Sequence, residues 1–243
     1  MHWLEPDWPA PPAVRALCTT RSGGVSRGPY SRLNLAEHVG DDPSAVAHNR
    51  ELLRRRLHLP RDPHWLHQVH GCEVARADSD PSGCEADAAV GFSPGVVCAV
   101  LTADCLPLLF CDRAGTRVAA VHAGWRGLAD GVVEAAVARL EVEPGQLLCW
   151  LGPAIGPRAF EVGSEVRERF LDRGGDGPDG AFRPSGQGKW LADLYALARH
   201  RLRSAGVARI FGGGFCTYED PVRFFSHRRD GATGRMATLV WIQ

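Results

Sequence analysis

Apolar runs and amphipathic stretches alternate along this chain, and that alternation constrains its fold more than any other feature. Val14–Thr20, His64–Val69, Gly95–Thr102, Leu106–Cys111, Thr116–Val121, Leu147–Leu151 and Met236–Ile242 read as strands. Leu106–Cys111 and Thr116–Val121, separated by Asp112-Arg113-Ala114-Gly115, read as a hairpin. Asp42 followed by Pro43 marks a helix start, which the spacing extends to about His58. Helical spacing also covers Leu128–Leu140, Ser164–Leu171 and Trp190–Ala205, the last closed by Gly206. Ser22–Tyr30 reads as a Gly/Ser/Pro loop, and Asp172–Gly188, poor in apolar residues, as a loop or lid. No linker is long enough to separate two cores. The expectation is therefore one α/β domain over residues 1–243, a mixed β-sheet with flanking helices.

Composition narrows the function classes. Lys+Arg and Asp+Glu each total 28, so the formal charge is zero, and hydrophobic residues make up 44%. That balance excludes a disordered chain. It also lacks the basic excess of an electrostatic nucleic-acid binder, so no nucleic-acid partner is expected. No apolar run approaches the ~18–20 residues that span a bilayer. Met1–Pro12 has no basic segment followed by an apolar one, so it does not read as a secretory signal. The expectation is a cytoplasmic protein with no membrane partner.

The chain has eight cysteines but no Cys-x-x-Cys pair. In that compartment they read as thiols rather than disulfides. Cys18, Cys98, Cys111 and Cys149 lie inside apolar runs and read as small buried hydrophobes.

The reactive residues sit at the ends of such runs. His70 follows Trp65–Val69, Cys105 follows Val96–Asp104, and His122 ends Val118–Val121. Breakers lie close behind each: Gly71, Pro107, and Gly124 with Gly127. If the strands share a sheet, their ends can converge on one site. A His/Cys/His set suits zinc, and three protein ligands leave a fourth position open for water or substrate. The same residues equally allow Cys105 to act as a nucleophile with His122 or His70 as its base. Spacing alone does not choose between these readings, or between them and unrelated structural side chains.

Longer motifs add a resemblance. His67-Gln68-Val69-His70-Gly71, Thr102–Pro107 and His122-Ala123-Gly124-Trp125-Arg126-Gly127 resemble the YfiH (laccase-domain, peptidoglycan editing factor) family. Thr19-Thr20-Arg21 with Gly23–Ser26, Leu33-Asn34-Leu35, Ala86-Asp87-Ala88, Gly152–Gly156, Cys216-Thr217 and Phe225–Asp230 resemble it in the same order. The resemblance implies a cysteine-hydrolase-like α/β fold and a zinc ion held by His70, Cys105 and His122. It implies phosphorolysis of adenosine, inosine, guanosine and methylthioadenosine, and deamination of adenosine. It also brings two other labels: a copper polyphenol oxidase, and an amidase that edits a UDP-muramyl amino acid precursor of peptidoglycan.

Chemistry weighs these implications. A multicopper oxidase uses many histidines in paired His-x-His arrangements, and the ten histidines here form no such pair. Phosphorolysis needs an anion site. Arg21, before Gly23-Gly24, and Arg126 can each bind phosphate through the guanidinium fork, against a surface or ion-pair role. Trp125 can stack on a purine or pack in the core. Asn34 and Asp87 can orient a ribose or a ligand histidine, or cap a turn. Asp104 can carry protons or cap. The expected partners are a purine nucleoside and phosphate. A zinc-stabilised binding module without catalysis is the remaining alternative.

Overall fold

The apolar runs become strands whose two faces feed different cores. A computed structural model describes residues 1–171 and 180–243. Along β5 (Val97–Thr102), Val97, Ala99 and Leu101 pack to one side and Cys98 and Val100 to the other. Along β6 (Leu106–Asp112), Leu106, Leu108 and Phe110 oppose Leu109 and Cys111. This is the period-two alternation of a strand. Both faces are covered, so the runs carry no polar interruptions.

Two large sheets result. The first has the order β1 (Trp3–Leu4), β2 (Val14–Thr19), β13 (Met236–Ile242), β5, and is antiparallel throughout. The second runs β12 (Arg209–Gly212), β8 (Leu147–Leu151), β6, β7 (Val118–Ala123), β4 (Ala88–Gly91), β3 (Val74–Arg76). It is mixed: β12 lies parallel to β8 and β3 to β4, and the other pairs are antiparallel. A small antiparallel sheet holds β10 (Phe182–Gly186), β11 (Lys189–Ala192) and β9 (Glu161–Val162).

The large sheets face each other through Cys98, Val100, Leu109, Val118, Trp150 and Val240. Helix α1 (Pro43–Arg56), through Leu53, and the Leu33–Ala36 segment cover the outside of the first sheet. Helices α2 (Trp125–Asp130), α3 (Val132–Arg139) and α5 (Leu194–Ser204) cover the outside of the second. Helices α4 (Ser164–Leu171) and α6 (His227–Asp230) complete the set. The expected α/β class with a mixed sheet is what forms. Among the described residues, no helix is long and apolar enough to cross a membrane.

Several local expectations hold. Asp42 caps α1 by accepting from the Ser44 amide at 2.9 Å, with Pro43 in the first turn. The hairpin is β6–β7, and Asp112 closes its turn by accepting from the Thr116 and Arg117 amides. Cys18, Cys98, Cys111 and Cys149 are buried, and burial pushes their thiols up, Cys18 and Cys111 to about 12.

Others are corrected. His64–Val69 is not a strand. It touches its neighbours through isolated bridges at His64 and His67, and the Gln68 side chain takes the place of a ladder by bonding both backbone groups of Leu101. The expected helix Leu128–Leu140 starts earlier and is two helices, because Gly131 adopts φ 110°, a left-handed conformation suited to glycine. Trp190–Ala192 belongs to β11, so α5 begins only at Leu194, with Asp193 as its cap. Of the expected loop Asp172–Gly188, residues 172–179 lie outside the described residues, and Phe182–Gly186 is strand β10.

Candidate metal centre

Sheet register brings the three reactive side chains together. Pro107 on β6 faces His122 on β7, which places Cys105, in the turn before β6, beside the end of β7. Ala88 on β4 faces Val121, so Asp87 comes to lie against His122, and its carbonyl accepts the His122 amide at 2.7 Å. His70 arrives from the Gln68-anchored segment. The donor atoms of His70, Cys105 and His122 lie within 4.8 Å of one another. Cys105 Sγ is 3.9 Å from His70 Nε2, and the two imidazoles meet edge to face at 4.8 Å. His122 is buried, Cys105 intermediate and His70 exposed, so the cluster opens on the His70 side. Among the described residues it is the one such group of three donors.

Asp87 organises this centre. It is fully buried and accepts four hydrogen bonds: from the amides of Val69 (3.1 Å), His70 (2.9 Å) and Gly71 (2.6 Å), and from His122 Nδ1 (2.7 Å). A carboxylate can only accept, so Nδ1 carries the hydrogen, and the neutral ring presents the Nε2 lone pair to the cluster. The same carboxylate fixes the His70 backbone. Of the three roles the sequence offered Asp87, the structure displays two, the orienting of a histidine and the capping of the Val69–Gly71 turn. Gly124 completes the cradle. A Cβ there would stand 3.1 Å from both Cys105 Sγ and His70 Cδ2 and 3.5 Å from His122 Cε1. His70 and Asp104 both adopt left-handed φ, 64° and 88°, a conformation uncommon outside glycine that gathers at functional sites.

The electrostatics are those of a coupled thiol–imidazole group. Burial pushes the Cys105 thiol up, but the His122 and His70 imidazoles outweigh it and bring the thiol down to about 6. Burial alone would lower His122, yet the Cys105 thiolate and Asp87 raise it to about 9. Burial likewise opposes ionisation of Asp87, and its bonds from His122, Gly71 and Val69 hold the carboxyl below its usual range. Metal-free protein should thus be alkylated by iodoacetamide at Cys105 with a midpoint near pH 6, the thiolate fraction falling below that pH. Peptide mapping of the adduct across pH checks this; a Cys105 midpoint at or above about 8.5, the ordinary thiol value, contradicts it.

The donor set fits a borderline-soft divalent cation. Two neutral imidazoles and a thiolate are zinc ligands, and an opposing carboxylate on the far nitrogen of a ligand histidine is a recurrent support for one. Several copper ions do not fit: the described residues offer one group of three donors, and the chain has no His-x-His pair.

The remaining sequence candidates lie elsewhere. Arg21 does not join the cluster. Its guanidinium donates to the carbonyls of Ser31 and Pro221 and stacks on Phe225 at 4.6 Å. Asn34 is fully buried and its amide is saturated: it donates to Ala36 O and Asp41 Oδ2 and accepts from the Ala36 and Arg235 amides. Both side chains hold the framework: Asn34 has no donor left, and Arg21 spends three of its five N–H groups on backbone carbonyls. Arg126 is exposed, two residues beyond Gly124, with its guanidinium over the Trp125 ring, and Trp125 packs against the helical core. Asp104 is a tie rather than a free acid. Its carboxylate accepts from Thr217 Oγ1 and the Arg228 amide, each at 2.6 Å, and its carbonyl from the Ile155 amide. It thereby knits three of the sequence motifs to the residue preceding Cys105. Cys216 accepts from the Gly156 amide and serves the same junction.

Sequence reasoning assigned no role to Arg235, His38 or His67. Arg235 stands just before β13, whose Met236 pairs with Thr102, and its guanidinium interacts with Cys105 and Asp104. His38 and His67 form one electrostatic group with it: burial lowers the His38 imidazole, and Arg235, His67 and Arg50 lower it further against Glu37. The available signal was an arginine beside a glycine at the start of a wholly buried strand.

Comparison with known proteins shows the family. A family model described as multi-copper polyphenol oxidoreductase laccase matches residues 15–243. A Pseudomonas aeruginosa protein named purine nucleoside phosphorylase is 58% identical over 243 residues, covering 99% of this chain and 98% of its own. The Escherichia coli K12 purine nucleoside phosphorylase YfiH is 53% identical, covering 98% of each. Among solved structures, a Neisseria meningitidis protein of the DUF152 family superposes with TM-score 0.96 at 50% identity, over 100% of both chains. YlmD from Geobacillus stearothermophilus gives 0.93 at 31%, over 100% of this chain and 97% of its own.

Proposed function

Given that the chain belongs to the YfiH family of laccase-domain proteins, we propose that it is a purine nucleoside phosphorylase that holds one zinc ion between His70, Cys105 and His122. The relatives' shared name supplies the reaction. The observation that carries it to this chain is the converged donor set, with Asp87 holding the tautomer that turns His122 Nε2 inward. When bound, the ion supplies Lewis acidity at a site open on one side. The chain's own residues keep that site in shape. Asp87 fixes two of the three donors, Gly124 leaves room between them, and the Asp104 ties hold the Cys105 turn.

In phosphorolysis a phosphate oxygen bonds to C1′ of the nucleoside, the C1′–N9 bond breaks, and the purine leaves with the electron pair and takes up a proton. The products are ribose-1-phosphate and the free base. The finer reading extends the same site to methylthioadenosine and to deamination of adenosine, in which water adds at C6 and ammonia departs. Product analysis separates these. Zinc-loaded protein with adenosine and phosphate is expected to give adenine and ribose-1-phosphate; inosine and ammonia without phosphate report deamination. Absence of both, together with cleavage of a UDP-muramyl amino acid, sinks the phosphorylase reading in favour of the amidase.

A further inference from the structure

Arg235 has no ion-pair partner among the described residues. Its side chain is partly buried, and one terminal nitrogen donates to the carbonyls of Thr233 and Gly234. Those bonds aim the guanidinium but leave Nε and the other terminal nitrogen without a partner among the described residues. Among the described residues no carboxylate forms an ion pair with it. Asp104, the carboxylate it interacts with, has both oxygens committed to Thr217 and Arg228. A half-buried guanidinium left in that condition is destabilising.

The surrounding framework nevertheless holds the arginine in place. Asn34, itself fully buried and saturated, accepts the Arg235 amide at 3.0 Å, and the next residue enters the ladder opposite Thr102, three residues before Cys105. The exposed His38 lies within electrostatic range of Arg235 and of the exposed His67. The nearby Arg50 is already spoken for: it bonds Leu35 O and Glu37 and stacks on Trp65. Arg235 is therefore a rigidly held guanidinium that retains free N–H groups beside the cluster.

We propose that Arg235 anchors an oxyanion next to the metal centre, its free N–H groups gripping a phosphoryl group. The proposal rests on the phosphorylase reading for the identity of that anion, inorganic phosphate. The recognising chemistry is shared with the phosphates of a nucleoside diphosphate on a larger substrate. A guanidinium fork suits either, because it matches phosphate geometry bidentately.

Equilibrium binding to the zinc-loaded protein tests this, with inorganic phosphate and a uridine diphosphate sugar as separate probes. Wild type, Arg235→Gln, Arg235→Lys and the surface control Arg56→Gln are compared, with zinc content and thermal unfolding recorded for each. Arg235→Gln is expected to weaken the bound anion about 10–100-fold, the loss of charge-assisted bonds, with zinc retained. Arg235→Lys should fall between, since it keeps the charge and loses the fork. If Arg235→Gln does not fold, the lysine variant carries the comparison. Loss seen with phosphate supports the phosphorolysis source; loss seen only with the diphosphate sugar supports the same anchor with the larger substrate. Unchanged affinity for both probes in folded Arg235 variants, or no affinity for either in wild type, overturns the proposal. Phosphorolysis with an unaltered KM for phosphate in Arg235→Gln overturns it while leaving the phosphorylase reading intact. Arg235-dependent phosphate binding without phosphorolysis does the reverse.

Discussion

Asp87→Ala is expected to lower the unfolding free energy by about 3–5 kcal/mol, the usual penalty for breaking one side of a buried charged pair. Three buried or half-buried amides and the His122 Nδ1–H lose their acceptor at once. The substitution also frees two of the three donors, and loss of such a supporting carboxylate weakens metal binding about 10–100-fold. Asp87→Asn separates the two effects. It keeps the volume and one carbonyl acceptor, so less stability is lost, but its NH₂ can meet Nδ1 only if His122 turns over its tautomer or ring. Denaturant titration and competitive zinc titration of both variants measure the outcome. Equal zinc affinity in wild type and Asp87→Asn would remove Asp87 from the site's construction. The pH dependence has a definite sign. The folded carboxyl titrates below its unfolded value, so its contribution is present above about pH 4 and fades as pH falls through the folded pKa. Wild type should therefore lose stability on acidification in a range where Asp87→Asn changes less.

The contribution of Asp87 shows what the sequence could and could not reveal. Strands β5, β6, β7 and β13 were legible because their apolar runs are long and each run is buried on two faces. Cys105 and His122 were legible because they lie at the ends of such runs, whereas His70 follows a segment that forms no strand. Asp87 was legible only as a motif member, since its four bonds come from residues 16 to 35 positions away along the chain. Arg235 was harder still. Its position beside Cys105 follows from the β13–β5 pairing, which joins segments more than a hundred residues apart and leaves no local trace. His64–Val69 misled for the opposite reason: a single side chain, Gln68, satisfies Leu101 in a way no alternation rule represents. The break at Gly131 belongs with these, because a glycine within helical spacing is tolerated as often as it stops a helix.

Cys105→Ala should empty the site. Two imidazoles remain, one of them exposed, and the anion that neutralised part of the cation's charge is gone. Zinc in the purified variant is expected to drop to background, and phosphorolysis by roughly 10²–10³-fold or more, the scale on which a principal electrostatic contributor is lost. The fold should survive, because Cys105 is only partly buried and its backbone stays tied through Asp104. The informative companion is Cys105→Asp, which restores an anionic zinc ligand but no thiol. If the thiolate serves as a ligand, this variant recovers metal and a measurable part of the turnover. If the sulfur instead attacks substrate, metal returns and turnover does not, and a thioester or other covalent adduct should be trappable on wild-type protein. The depressed Cys105 thiol is compatible with both roles, because the His122 and His70 charges that favour the thiolate favour it equally for a cation and for an electrophilic carbon. The roles compete within one turnover: a thiolate holding the ion has its lone pair engaged. Metal stoichiometry and turnover measured on the same Cys105→Asp preparation therefore decide between them, where either measurement alone would not.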